Sequence, residues 1–337
     1  MTQVVIIGGS GHVGTYLVPR LVEAGYDVIN VTRGQSQPYL PHAAWNSVQS
    51  VQIDRAQAEQ DGTFGQQIAD LKPDIVIDMV CFTVASAQQI VTALRGQVQH
   101  FLHCGTVWVH GFPVEQPMLE SAPRKPLIPP HIAPDAVADY LKNDYAAQKA
   151  AIEAYLLDEA RRSRFPVTLL HPGHIVGPGH HPINPQGNKN PRVFEALAAG
   201  DPLPLPHLGL ETLHHVHADD VAQAFMGALQ NWNASVGEAF HTLSPEALTL
   251  RGFAEAVAGW FGQEARLEFL GWDDFSQRVS ASDAEATWYH IAHSPNGSIA
   301  KAQKLLGYQP RYTSLQAVYE SLQWLIAHGE VKAPALG

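Results

Sequence analysis

The chain has 337 residues, with 21 Lys and Arg against 32 Asp and Glu, a formal net charge of −11. That balance excludes a nucleic-acid backbone as the main partner, because such binding rests on neutralising phosphates with Lys and Arg. Apolar residues make up 45% and charged residues 16%, which excludes a disordered chain and provides for one large or two modest domains. No apolar stretch reaches membrane-spanning length, and no basic-then-apolar leader precedes the first strand. Two cysteines, Cys81 and Cys104, make no disulfide framework. The expected setting is therefore the cytoplasm.

Val4-Val5-Ile6-Ile7 is a continuous apolar run, the pattern of a strand buried on both faces. Gly8-Gly9-Ser10-Gly11-His12-Val13-Gly14 follows, then a helical stretch from Tyr16 to Ala24 that ends at Gly25. Strand, glycine-rich turn and helix are the context of a dinucleotide fingerprint, in which the turn admits a pyrophosphate to a helix N-terminus. Gly8, Ser10, Gly11, His12, Val13 and Gly14 are the cofactor candidates here. The second strand, Asp27 to Thr32, ends in Thr32-Arg33-Gly34, where NAD readers usually carry a carboxylate. A hydroxyl and a guanidinium suit a 2′-phosphate, so NADP is predicted, with NAD the alternative. Ser50 to Ile53 is the third strand with Asp54 at its end, and Asp74 to Met79 the fourth, followed by Val80. Asp54 and Val80 join the cofactor candidates. A helix around Ala85 to Leu94 leads to a fifth strand, His100 to Cys104. This alternation predicts an α/β fold, a Rossmann-type doubly wound parallel sheet.

Tyr145 and Lys149 stand four residues apart at the start of a helical stretch, so phenol and ammonium share a face. A tyrosine hydroxyl titrates near pH ~10. A neighbouring cation favours the phenolate and makes proton exchange with a substrate oxygen feasible.

Upstream, Cys104-Gly105-Thr106-Val107-Trp108-Val109-His110-Gly111 resembles the S-S/T-x-x-V-Y-G of the extended short-chain dehydrogenase/reductase family, which includes nucleotide-sugar epimerases and dehydratases. Thr106 falls on the catalytic Ser/Thr, and His110 replaces the usual tyrosine. Tyr145 and Lys149 occupy the family's Y-x-x-x-K, with Glu153 one turn on. The proline-rich insert from Phe112 to Asp139 reads as a loop over the site or a variable surface loop. After a sixth strand, Phe165 to Leu170, the run His171-Pro172-Gly173-His174-Ile175-Val176-Gly177-Pro178-Gly179 resembles R-P-x-N-V-Y-G-P-G. His214 to Ala222 resembles Y-I-H-V-x-D-V-A, and Lys301 to Pro310 the family's closing motif.

The resemblance implies a dinucleotide-binding domain over 1–174, with 236–244 returning to the sheet, and a smaller, discontinuous C-terminal substrate domain over 175–235 and 245–337. It implies hydride transfer at a carbon bearing an oxygen. Tyr145 would exchange the proton, Lys149 would lower its pKa and bond the nicotinamide ribose, and Thr106 would orient the substrate oxygen. His171 joins the cofactor set by the same carry-over; Thr106, Val107, Trp108, His174 and His217 are the substrate set. A small-molecule substrate is expected, sugar-like and conceivably a nucleotide sugar, and the family suggests a homodimer. Neither the neighbourhood of Leu213 nor Thr287 to Ser294 offers the arginines that hold a diphosphate. The alternative is therefore an NADP-dependent reductase of a smaller carbonyl compound. A third reading, from another class, is a non-catalytic cofactor-binding regulatory or RNA-associated protein. The 18 histidines cluster within motifs that work without metal, so no metal is expected.

Overall fold

The computed structural model describes residues 2–125, 127–129 and 132–337. The first half alternates β1 (Gln3–Ile7), α1 (His12–Glu23), β2 (Asp27–Thr32), β3 (Gln49–Gln52), α2 (Arg55–Gln60), α3 (Phe64–Ala69), β4 (Ile75–Asp78), α4 (Val84–Leu94) and β5 (His100–Cys104). Then come α5 (Val137–Asn143), α6 (Tyr145–Ser163), β6 (Val167–Pro172), β7 (His174–Val176), α7 (Arg192–Ala199), β8 (Pro202–Pro206), β9 (Thr212–Leu213) and β10 (His215–His217). The chain closes with α8 (Ala218–Gln230), α9 (Trp232–Ser235), β11 (Ala239–Thr242), β12 (Leu248–Thr249), α10 (Leu250–Trp260), β13 (Arg266–Leu270), α11 (Trp272–Arg278), α12 (Ala281–Ile291), α13 (Ala300–Leu306) and α14 (Ser314–Ala327).

Seven strands form one parallel sheet in the order β11-β6-β5-β4-β1-β2-β3. The apolar runs require this, since alternate side chains of one strand must find cover on opposite faces. Val4 and Ile6 pack with Leu17 and Leu21 of α1 and Phe225 of α8. Val5 and Ile7 pack with Phe64 of α3, Ile90 of α4 and Ile152 of α6. Strand order reverses between β1 and β4, and the crevice at that switch lies at the carboxyl ends of the strands, where ligands of open α/β sheets bind.

Several strand and helix ends shift by a residue or two, and larger differences from expectation appear in α1, β6 and α8. Helix α1 begins at His12 rather than Tyr16, directly off the glycine turn. The sixth strand runs on to Pro172, because His171 and Pro172 pair with His241 and Thr242 of β11. Within the stretch assigned to a substrate domain, α8 instead covers the sheet: Val221, Ala222 and Phe225 share the core of β1 and α1. Asp219 at its start pairs with Arg20 of α1 (2.6 Å) and Arg311 (3.0 Å), while Asp220 accepts from the amides of Arg311 and Tyr312. A separate outer core unites Phe194, Leu203, Phe253, Val257 and Leu322.

The proline-rich insert is docked. Met118 and Leu127 are buried, and Arg124 reaches Glu153 of α6. Among the described residues, no helix is long and apolar enough to cross a membrane.

Candidate active site

The glycine turn carries the backbone from β1 into α1 at close quarters. A Cβ on Gly14 would lie 1.9 Å from the Gly9 carbonyl oxygen, so only glycine lets the helix start this near the strand. Gly11 caps α1 without a side-chain hydrogen bond. The first-turn amides of that helix are thus left for an anion. Gly8, at φ +86°, lies against Val80, where an added Cβ would come within 2.9 Å of the valine Cγ1.

Gly8, Ser10, Gly11, Thr32, Arg33 and Val80 line one cavity of about 670 Å³. At the end of β2, Ser10 Oγ lies 3.3 Å from Thr32 Oγ1 and 3.2 Å from Ser36 Oγ, with exposed Arg33 beside them. No carboxylate occupies this strand end. The uncapped helix and the close turn fit a dinucleotide pyrophosphate, and the hydroxyl cluster with Arg33 fits a phosphorylated ribose.

Arg55, Glu59 and Phe82 are among the residues of this cavity that sequence reasoning missed. The Arg55 guanidinium bridges Glu59 (2.6 Å) and Asp78 (2.8 Å) and lies over the Phe64 ring. Burial alone would lower its pKa, but the Asp78 carboxylate overrides it and raises the value. The one signal was position: Arg55 opens the helix directly after the third strand.

Tyr145 opens α6 at the cleft, with Asp144 accepting from the Ala147 amide as the helix cap. The tyrosine is 43% exposed, so a substrate can reach it. Its pKa is pushed up to about 12, chiefly by desolvation of the phenol and further by Cys104, with the Thr106 hydroxyl opposing the rise. Thr106 in turn caps the short 3-10 turn Val107–His110 and accepts from the Trp108 amide at 3.3 Å. Lys149, one turn into the helix, is buried and donates to the carbonyls of Cys81 and Cys104, both at 2.8 Å. Burial lowers its pKa. Its ammonium lies 5.9 Å from the Tyr145 ring centroid. Both cysteines are free thiols that burial pushes up, Cys81 to about 12.

Tyr145 stands between two cavities. Phe82, which lines the first, has its ring centroid 6.4 Å from that of Tyr145. On the other side, Asp144 accepts from the hydroxyls of Tyr140 (3.2 Å) and Tyr289 (3.0 Å), and both tyrosines line a second cavity of about 1080 Å³. Trp108 packs its ring against Tyr289, His290 and His293 at centroid distances of 4.7, 5.0 and 4.8 Å. Tyr289 and His290 belong to α12, whose place opposite Trp108 no local pattern announces.

Several sequence candidates turn their side chains elsewhere. The side chains of Val13 and Val107 lie in the core and Gly14 allows close backbone packing, while the amides of His12, Val13 and Gly14 are the first-turn donors of α1. His12 stacks on Tyr39 and lines a separate cavity with His180, His181 and Lys189. Asp54 caps α2 through the Gln57 amide and does not line the dinucleotide cavity. His171 lies beside Glu153, His110 and His241 instead of at the cofactor cavity. His174 packs against His180 and His215, with burial holding its pKa well down. His217 is the cap of α8, stacked on Tyr312 and 3.0 Å from Glu320, so it serves the helix start and not the substrate. For Val13, Val107, Asp54 and His217 the tertiary fold spends the side chain on packing or capping.

The doubly wound sheet with a glycine turn at its switch point defines a dinucleotide-binding α/β protein. The model of the NAD dependent epimerase/dehydratase family matches residues 4–241. The chain belongs to that family, is an extended short-chain dehydrogenase/reductase, and is an enzyme of the epimerase/dehydratase type. It is 23% identical to the chloroplast stem-loop binding protein of 41 kDa b of Arabidopsis thaliana, over 99% of this chain and 82% of that one. It is 26% identical to 2′-dehydrokanamycin reductase of Streptomyces kanamyceticus, over 76% of this chain and 65% of that one. Its fold matches the dTDP-glucose 4,6-dehydratase of Bacillus anthracis, solved with NAD, at TM-score 0.71 and 16% identity, over 98% of both chains.

Proposed function

We propose that the protein transfers a hydride between NADP and a sugar-like carbonyl or carbinol that carries no nucleotide, with Tyr145 exchanging the proton at the substrate oxygen. One observation carries this reading: Tyr145 packs beside Phe82, which lines the cavity of the glycine turn, while the adjacent Asp144 binds Tyr140 and Tyr289, which line the aromatic cavity of α12. Bound nicotinamide supplies the hydride donor or acceptor. With its pKa near 12, Tyr145 is a phenol at neutral pH and acts as the proton donor in the reducing direction. Thr106 orients the substrate oxygen toward that proton. Two of the three ammonium donors of Lys149 are taken by backbone carbonyls, and the third would hold the ribose.

Tyr289, packed on Trp108, and Trp288 line the second cavity and offer it aromatic rings against which the apolar side of a sugar ring can pack. Among the residues lining that cavity, Glu285 is the charged one, and no Lys or Arg accompanies it. A diphosphate would meet a carboxylate there, which favours a substrate like that named for the kanamycin-type reductase over a nucleotide sugar. NADP is preferred over NAD because Arg33 and the Ser10, Thr32 and Ser36 hydroxyls stand where a carboxylate would select the free ribose. The net charge of −11 weighs against stem-loop RNA as the primary ligand.

The test is Tyr145→Phe, assayed against a panel of keto sugars, amino sugars and UDP- or dTDP-sugars. Turnover should fall by about 100-fold or more while NADP-induced thermal stabilisation stays. Unchanged turnover removes Tyr145 from the chemistry, and turnover restricted to nucleotide sugars removes the substrate assignment.

A further inference from the structure

Three histidines far apart in the chain meet behind the loop that bears Thr106. His110 ends the 3-10 turn that Thr106 begins, His171 lies on β6, and His241 is its partner in register on β11. All three are buried, at 2%, 0% and 0% exposure. One ring nitrogen from each lies within 4.8 Å of the others. A Cβ on Gly105 would come within 2.6 Å of the His171 ring, so the group packs directly under the catalytic loop.

The hydrogen bonds assign the protons. Nδ1 of His110 lies 3.2 Å from the Ala122 carbonyl oxygen, and Nδ1 of His241 lies 3.1 Å from that of Ser298. A carbonyl only accepts, so both Nδ1 atoms carry hydrogen. In the neutral rings each Nε2 then presents a lone pair, yet the two Nε2 atoms face one another at 2.9 Å. Two lone pairs at that distance repel unless a cation lies between them. Both nitrogens of His171 and Oε2 of Glu153 also lack an aligned hydrogen-bond partner among the described residues, although they approach to 3.0 Å.

We infer that His110, His171 and His241 form a binding site for a divalent transition-metal ion of the zinc type. The site does not depend on the reaction proposed above. Three imidazoles suit borderline-soft Zn²⁺, which takes about 2.0–2.1 Å to each nitrogen in a tetrahedron. Two Nε2 atoms on one such ion stand about 3.3 Å apart, so the observed pair has to open by only a few tenths of an ångström. Nδ1–H donated to a backbone carbonyl is the outer-shell arrangement that orients ligating histidines. Glu153 and Glu120, which accepts from the His241 amide, set two carboxylates against the single guanidinium of Arg124. A cavity of about 680 Å³ adjoins the group through Glu120, Glu153 and Ser298, each of which contacts one of these histidines. Two of the three ligands, His110 and His171, stand where the resembled motifs have Tyr and Arg, so those motifs do not themselves carry the site. Held there, the ion braces the turn that positions Thr106 and Trp108.

The experiment uses the full-length protein without a polyhistidine tag, stripped with a chelator and dialysed. Equimolar Co²⁺ should give the intense visible bands of four-coordinate cobalt, and Zn²⁺ should displace it, leaving about one zinc per chain by elemental analysis. His241→Gln and His110→Gln, checked for native circular dichroism, should lose the cobalt spectrum and the zinc. His42→Gln, at a partly exposed site, should keep both. A wild-type protein that shows only six-coordinate cobalt, or folded variants that retain one zinc, overturns the site, and the facing nitrogens then share a proton. If neither variant folds, the wild-type cobalt spectrum alone decides.

Discussion

The raised pKa of Tyr145 gives the two directions of catalysis opposite pH dependences. Carbonyl reduction needs the phenol, which is present through neutrality, so its rate should stay level and fall only as pH nears 12. Alcohol oxidation needs the phenolate, so its rate should climb through the alkaline range, about tenfold per pH unit well below the pKa. Initial rates in both directions from pH 6 upward check this; an oxidative rate already level at pH 8 would show a phenol titrating much lower. In the proposed function Arg33 sets the cofactor choice. Arg33→Ala should weaken NADP binding by about tenfold, the value of one charge-assisted contact, and leave NAD binding unchanged. Equal losses for both cofactors by titration calorimetry would mean that Arg33 does not read the 2′ position.

At the scale of elements, the site is set by how closely α1 follows β1. Gly14→Ala places a methyl group 1.9 Å from a backbone oxygen that cannot turn aside. The helix must shift, with a stability loss of about 2–3 kcal/mol and loss of NADP-induced stabilisation. A melting temperature within about one degree of the parent would show that the turn has slack. The helix α8 shows how a motif can be structural. His217 and Asp219 tie its start to Tyr312, Arg20 and Arg311, and none of them faces the cleft. Asp219→Asn, removing a nearly buried partner of two arginines, should cost about 1–3 kcal/mol in thermal unfolding without changing cofactor affinity.

The whole molecule stores an acid sensitivity in its buried imidazoles. Burial holds His100, His214 and His293 near pH 4 and His215 near 3, below the usual 6.5. Between about pH 6.5 and 3 the unfolded chain therefore binds protons that the native state refuses, so stability falls as pH falls through that window. Below it both states are protonated and these groups add no further loss. Denaturant unfolding at pH 7.5, 6.5, 5.5 and 4.5 should show a decline that starts near 6.5; equal stability at 7.5 and 4.5 would show the histidines titrating normally in the native state.

Local pattern alone determined the Rossmann half. Apolar runs such as Val4 to Ile7 can only be strands covered on both faces, a glycine turn before a helix has one common use, and four residues put Tyr145 and Lys149 on one face whatever surrounds them. Those properties depend on near neighbours in the chain. Tertiary packing decided the rest, because it joins residues with no local relation. It brought α12 over Trp108, set Arg55 and Phe82 in the cofactor cavity, and put Lys149 on two backbone carbonyls. It also moved His171 from the expected cofactor site to a place beside His241, since strand register, and not sequence distance, fixes which side chains meet across a sheet.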